Sequence, residues 1–93
     1  MMSQEAAETF GLQALAWLAE NEELLPVFMG ASGASVSDLR ARAAEPEFLV
    51  SVLDFLMMDD AWIVEFCAAY GHACEAPMQA RQSLPGGGEV HWT

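Results

Sequence analysis

The sequence predicts an all-α protein, a compact bundle of about six short helices around one central buried helix. Apolar residues recur three and four positions apart along most of the chain, which is the spacing of a helix face. Proline or glycine separates most of the consecutive segments of this kind. No segment shows the alternation of apolar and polar residues that a half-buried strand requires.

The first helix is predicted over residues 3–20, with Ser3 as its N-cap. Leu12 falls near its polar side and is a candidate contact residue. Asn21 is predicted to cap a short second helix. That helix either contains Pro26 in its first turn or begins at Pro26. The small-residue stretch GASGAS, 30–35, is predicted to be a loop. The inward face of the first helix comprises Ala7, Phe10, Gly11, Ala14, Trp17 and Leu18.

The third helix is predicted over residues 36–44, and Ser35 and Asp38 have the spacing of a capping box. Asp38 and Arg42 lie four residues apart, which allows an ion pair on the helix surface. Glu45 should be the last residue before a new element, because Pro46 follows it. The residues predicted to face inward are Val36, Leu39 and Ala43.

The fourth helix, about residues 46–58, is the predicted centre of the bundle. Its polar residues Glu47, Ser51 and Asp54 share one strip, and the rest of its surface is apolar. A helix that is apolar nearly all round is buried nearly all round. Met58 continues the polar strip, so an exposed Met58 is a candidate contact residue, or else it fills the bend that follows.

The fifth helix is predicted over residues 60–70, after Asp59 as N-cap and before Gly71 as its left-handed C-terminal residue. The last helix is predicted over residues 77–84. Together these segments form a single helical domain, 1–84, followed by a flexible tail, 85–93, with three consecutive glycines. The inward face of the fifth helix comprises Trp62, Ile63, Phe66 and Tyr70.

The negative net charge of the chain excludes two classes of binding partner. Its 93 residues include 14 acids against three arginines and no lysine, for a net charge of −11. A nucleic-acid-binding surface needs a basic footprint, and an anionic membrane would repel this chain, so we expect neither as a partner. We expect no bilayer-spanning segment and no signal peptide, and two cysteines do not make a disulfide framework. We expect a cytoplasmic protein.

Two groups of residues could carry chemistry. Asp59 and Asp60 are adjacent, so on a helix their side chains diverge by about 100° and would not converge on one ion. Cys67, His72 and Cys74 have the spacing C-x4-H-x-C, which is one ligand short of the usual zinc site. We therefore predict no catalytic, cofactor-binding or metal residues and no cofactor. The sequence does not fix the redox state of the two cysteines.

The excess of apolar residues, 54% of the chain, is the remaining functional signal. It favours a non-catalytic protein–protein interaction module, with Leu12, Met29 and Met58 as candidate interaction residues. The alternative is a homodimeric structural protein that uses the same apolar surface. An enzyme that acts on a small molecule or binds a metal is a distant third.

The order of motifs resembles a known family. The stretch DLRARAAEPEFLVSVLDFL, followed by the paired acids and preceded by LQALAWLAENEELLPVFMGASG, is similar to a family of short alphaproteobacterial proteins of unknown function. The resemblance covers roughly residues 9–84. It implies a small, cytoplasmic, all-helical protein with no assigned activity, and it supplies no catalytic residue.

Overall fold

Six α-helices make up most of residues 2–84, the part of the chain that the computed structural model describes. No strand occurs within these residues, so the all-α prediction with six helices is confirmed. The predicted tail, 85–93, lies outside the described residues. The helices are α1 (Gln4–Glu20), α2 (Leu24–Ser32), α3 (Val36–Ala41), α4 (Pro46–Leu56), α5 (Asp60–Tyr70) and α6 (Ala76–Ser83).

The centre of the bundle is the pair α1 and α4. α4 buries six of its eleven residues, as its nearly continuous apolar surface predicts. α1 packs against α4 and also contacts α2, α5 and α6. The two central helices approach closely at Gly11, where an added Cβ would lie 3.0 Å from the Cβ of Leu49.

Local hydrogen bonds set the starts of α1 and α3 where the sequence predicts them. Ser3 Oγ accepts from the N–H of Ala6 at 3.1 Å. Ser35 Oγ accepts from the N–H of Asp38, whose carboxylate accepts from the N–H of Ser35 at 2.9 Å, so the capping box is confirmed. Hydrogen bonds from the backbone and the side chain of Ser35 hold the pKa of Asp38 below its ordinary value.

The segment after α2 differs from the prediction. α2 continues through Ser32, so the loop predicted over residues 30–35 is wrong for its first three residues. The helix ends at Gly33, the first residue here with a left-handed backbone, with φ of 75°. Ser32 Oγ donates to the carbonyl of Phe28 at 2.8 Å, which holds the last turn in helical form.

The third helix is shorter than predicted, and one of the three residues predicted to face inward is exposed. α3 ends at Ala41, and Val36, its first residue, is 57% exposed, whereas Ala43, beyond the end of the helix, packs against the core. Leu39 is the buried residue of this helix. Arg42 Nε pairs with Glu45 Oε1 at 3.2 Å rather than with Asp38, whose carboxylate the capping box already engages.

The later helices differ from prediction mainly at their ends. α4 ends at Leu56, two residues early, so Met57 and Met58 lie in the turn before α5. α6 begins at Ala76 rather than Pro77. On α5, Tyr70 is 37% exposed, so this helix packs less deeply than its apolar sequence indicates. Among residues 2–84, none of the helices has the length and hydropathy needed to cross a bilayer.

Candidate functional site

The paired acids lie at the joint between α4 and α5. Asp59 Oδ1 accepts from the N–H of Ala61 at 2.9 Å, which satisfies a backbone donor that the first turn of α5 leaves free. Asp60 is the first residue of α5, and both acids are exposed. At the other end of α5, Gly71 has φ of 72° and its N–H donates to the carbonyl of Cys67.

Replacing Asp59 with alanine is expected to lower the free energy of unfolding by about 1 kcal/mol, because the cap of α5 is lost. Asp60→Ala is the matched control, since it removes the same charge without removing the capping hydrogen bond. Chemical denaturation of both variants measures the difference. Equal stabilities for the two variants would contradict the capping role.

The residues Cys67, His72 and Cys74 do not converge. Cys67 is buried on α5, whereas Cys74 is exposed, and both thiols are free. His72 Nε2 lies 2.7 Å from Gln13 Oε1, and its ring centroid lies 4.6 Å from that of Phe10. The imidazole therefore joins the turn after α5 to α1. Within residues 2–84, no three His, Cys, Asp or Glu side chains are grouped so that they could hold a metal ion.

The two cysteines should differ in reactivity. Burial raises the pKa of the Cys67 thiol, and the nearby Cys74 and Glu75 raise it further. The thiolate is the reactive form of cysteine. Cys67 should therefore react slowly, because reagents do not reach it and because its thiol stays protonated. We expect iodoacetamide at neutral pH to modify Cys74 alone in the folded protein and both thiols in denaturant, as read by intact mass. Equal rates for both thiols in the folded state would contradict this burial.

The structure separates the three candidate interaction residues. Leu12 is 43% exposed on α1, Met29 is half-buried on α2, and Met58 is 73% exposed after α4. Of these three, Met58 alone lines the groove between α2 and α4. Asn21 is at the turn between α1 and α2, where its Oδ1 accepts from the N–H groups of Glu23 and Leu24, each at 3.1 Å.

The α2–α4 groove has a volume of about 340 Å³. Two buried aromatic rings form its floor, with the centroids of Phe28 and Phe55 5.2 Å apart in an edge-to-face arrangement. Met58 stands at its rim as the most exposed of the large apolar side chains in residues 2–84. The full lining is Phe28, Ala31, Ser32, Ser51, Asp54, Phe55 and Met58.

The sequence predicts the residues on the α4 side of this groove but not those on the α2 side. The sequence predicts a loop at Ala31 and Ser32, so it does not predict that α2 forms one side of the groove there. No sequence pattern distinguishes Phe28 from the other apolar residues of the chain. Gly30 and Gly33 are both followed by Ala-Ser, but only Ser35 has an acid three residues later, Asp38, and this capping box is a sequence signal that α2 can continue as far as Gly33.

Two other concave surfaces lie elsewhere on residues 2–84. The one at the turn between α1 and α2 offers Trp17 among three glutamates and Asn21, with little apolar surface. The one between α5 and α6, about 400 Å³, contains Met57, Ile63 and Met78 beside Cys74. No aromatic ring is among its lining residues.

The sequence comparisons agree with the resemblance noted above. Residues 4–87 match the family model described as a protein of unknown function, DUF3572. No curated protein and no solved structure gives a match. The alphaproteobacterial origin that the resemblance implied stays a prediction. The match spans nearly the whole chain, and the chain therefore belongs to the DUF3572 family of proteins of unknown function.

Proposed function

We propose that this protein is a non-catalytic interaction module that holds a basic amphipathic helix of another protein in the α2–α4 groove. The observation that carries the proposal is Met58, a flexible apolar side chain that is 73% exposed beside an aromatic floor in a strongly acidic chain. Both cysteines are free, which fits a partner met in the reducing cytoplasm.

The apolar surface of the groove supports a helix as its occupant. An amphipathic helix buries one apolar face in a groove, through anchors spaced three and four residues apart. Phe28 and Phe55 provide a rigid floor, and Met58 can change rotamer to fit different anchors. Val27, one turn before Ala31 on α2, is 51% exposed and extends the apolar surface along the same helix.

The net charge of the chain supports a basic occupant. Asp54 lines the groove and is paired with Arg81 within the chain, and Glu47 is exposed on α4 two turns, or about 10 Å, before it. The net charge of −11 adds long-range attraction for a basic partner, and it repels nucleic acid and anionic membranes.

A homodimer through the same surface is the second candidate. It is supported by the exposed apolar side chains of the described helices, which include Val64 and Met78 as well as Met58. Two chains of charge −11 repel each other, so we favour a partner of opposite charge. Sedimentation across a concentration series separates the two: a dimer that persists at low concentration and in low salt would favour the homodimer.

The proposal is tested with a synthetic helical peptide of about 18 residues, roughly 27 Å long, with leucines on one face and arginines on its flanks. Its control is a scrambled peptide of the same composition, which keeps the charge and loses the apolar face. We expect the folded protein to bind the first peptide at least about tenfold more tightly in fluorescence anisotropy.

Paired variants locate the binding surface. Met58→Ser should weaken the peptide complex about tenfold, because it removes the apolar rim of the groove. Met78→Ser removes an equally flexible side chain, 58% exposed, from the cavity between α5 and α6 and should leave the affinity within about twofold. Equal effects of the two substitutions, or equal binding of the scrambled peptide, would overturn the proposal.

A further inference from the structure

Three sulfur-containing side chains line the cavity between α5 and α6. They are Met57 from the turn after α4, Cys74 from the turn after α5, and Met78 from the first turn of α6. Cys74 and Met78 are exposed, Met57 is half-buried, and the Cys74 thiol is free. One accessible cavity of about 400 Å³ therefore presents a thiol together with two thioethers.

The backbone brings Cys74 and Met78 to the same side of α6. Glu75, the residue before this helix, already has helical backbone angles, and the N–H of Ala76 donates to the carbonyl of Ala73 at 3.0 Å. Residues four positions apart in a helical turn are neighbours, with Cβ atoms about 5–6 Å apart. Two metal ligands on one helix face use the same spacing to reach a single ion.

The remaining lining of this cavity suits a cation of low charge. Asp60 and Glu75 are exposed at the cavity, and their carboxylates attract a cation to it. Pro77 is buried and Ile63 is half-buried, so the inner side of the cavity is apolar. An apolar surface beside sulfur ligands limits the access of water to a bound ion.

The available ligands decide which cation fits. Within residues 2–84, no three His, Cys, Asp or Glu side chains are grouped to hold a metal ion, so zinc, calcium and magnesium lack their usual set of ligands here. Thiolate and thioether sulfur instead select the soft ion Cu(I). The prediction of no metal residues from the sequence considers thiols, imidazoles and carboxylates but not thioethers.

We propose that the cavity between α5 and α6 is a Cu(I) site, in which the Cys74 thiolate and the thioethers of Met57 and Met78 are the three ligands. The thiol loses its proton to water as its sulfur binds the ion, and the two thioethers bind without a change of charge. The site is separate from the α2–α4 groove. It does not depend on the proposed function, and either can fail without the other.

The affinity is measured by competition with a chromogenic Cu(I) chelator, in the absence of oxygen and with ascorbate as reductant. Native mass spectrometry measures the stoichiometry, and we expect a single Cu(I) on a monomer of the protein. A complex in which Cu(I) joins two chains, or no uptake in competition with a weak chelator, would overturn the proposal.

Leucine variants separate metal binding from packing, because leucine keeps the approximate volume of methionine and removes its sulfur. Met57→Leu and Met78→Leu should each weaken Cu(I) binding about tenfold, and Cys74→Ser should weaken it at least about a hundredfold. Met58→Leu is the matched control, since it removes a sulfur from the other groove, and it should stay within about twofold. If Cys74→Ser alone weakens binding, an exposed thiol holds the ion by itself and the three-ligand site is wrong.

The reactivity of Cys74 tests which ion the site selects. Cu(I), or Ag(I) as a soft ion of the same charge, should protect Cys74 of the folded protein from iodoacetamide when added in equal amount to the protein. Zn²⁺ at the same concentration should leave Cys74 reactive, because its usual four ligands are not present. Equal protection by Zn²⁺ would contradict a site built for a soft ion.

Discussion

Replacing Phe66 with alanine is expected to remove roughly 3–5 kcal/mol of stability. Phe66 is fully buried, and its ring packs against two aromatic rings of α1. Its centroid lies 5.3 Å from that of Phe10 and 5.9 Å from that of Trp17, both on α1. The substitution therefore leaves a cavity where α5 joins the central helix, and a domain of this size has only roughly 5–14 kcal/mol of stability in total.

Urea denaturation with circular dichroism measures the loss. Val64→Ala is the control on the same helix, because Val64 is 54% exposed and its truncation should change the stability by no more than about 0.5 kcal/mol. A loss of less than about 1 kcal/mol for Phe66→Ala would mean that α5 is not packed against α1 as described.

Gly11→Val is expected to cost roughly 3 kcal/mol, through crowding rather than through a cavity. A Cβ at position 11 would lie 3.0 Å from Leu49 Cβ and 3.4 Å from both of the Leu49 Cδ atoms. Valine adds two more methyl groups at the same place, so α1 and α4 would have to separate or tilt. The contact between these two helices is the centre of the core, so the strain cannot be confined to one side chain.

Gly30→Ala provides a control that is expected to raise the stability rather than lower it. Gly30 lies within α2, and no atom would come within 4 Å of its added Cβ. Alanine there reduces the freedom of the unfolded chain and should raise stability by about 0.5–1 kcal/mol. The same denaturation series measures both variants. If Gly11→Val is tolerated as well as Gly30→Ala, the close approach of α1 and α4 is wrong.

The features that the sequence predicts well are those determined by neighbouring residues. A cap or a capping box depends on groups within three or four positions, as at Ser3 and at Ser35 with Asp38. The buried surface of α4 depends only on its own composition. Pro46 at the first position of α4 and the continuous apolar run after it are visible without any knowledge of the fold.

The candidate groove could be predicted only in part, because it depends on contacts that are distant in the sequence. The sequence predicts Met58 on the polar strip of the fourth helix, but its neighbours Phe28 and Ala31 come from α2, which ends three residues later than predicted. The pair of Asp54 and Arg81 joins residues 27 positions apart. Helix periodicity places each residue on a face, and only the packing of whole helices decides which faces meet.

The most direct test of the proposed interaction is an NMR titration of the protein with methyl-labelled methionines. The arginine peptide is added to saturation, and the methyl signals of Met58, Met57 and Met78 are followed. If the α2–α4 groove is the docking surface, Met58 moves most and Met78, in the other cavity, does not move. A shift of Met78 with Met58 unchanged, or no shift of either at saturation, would contradict the account.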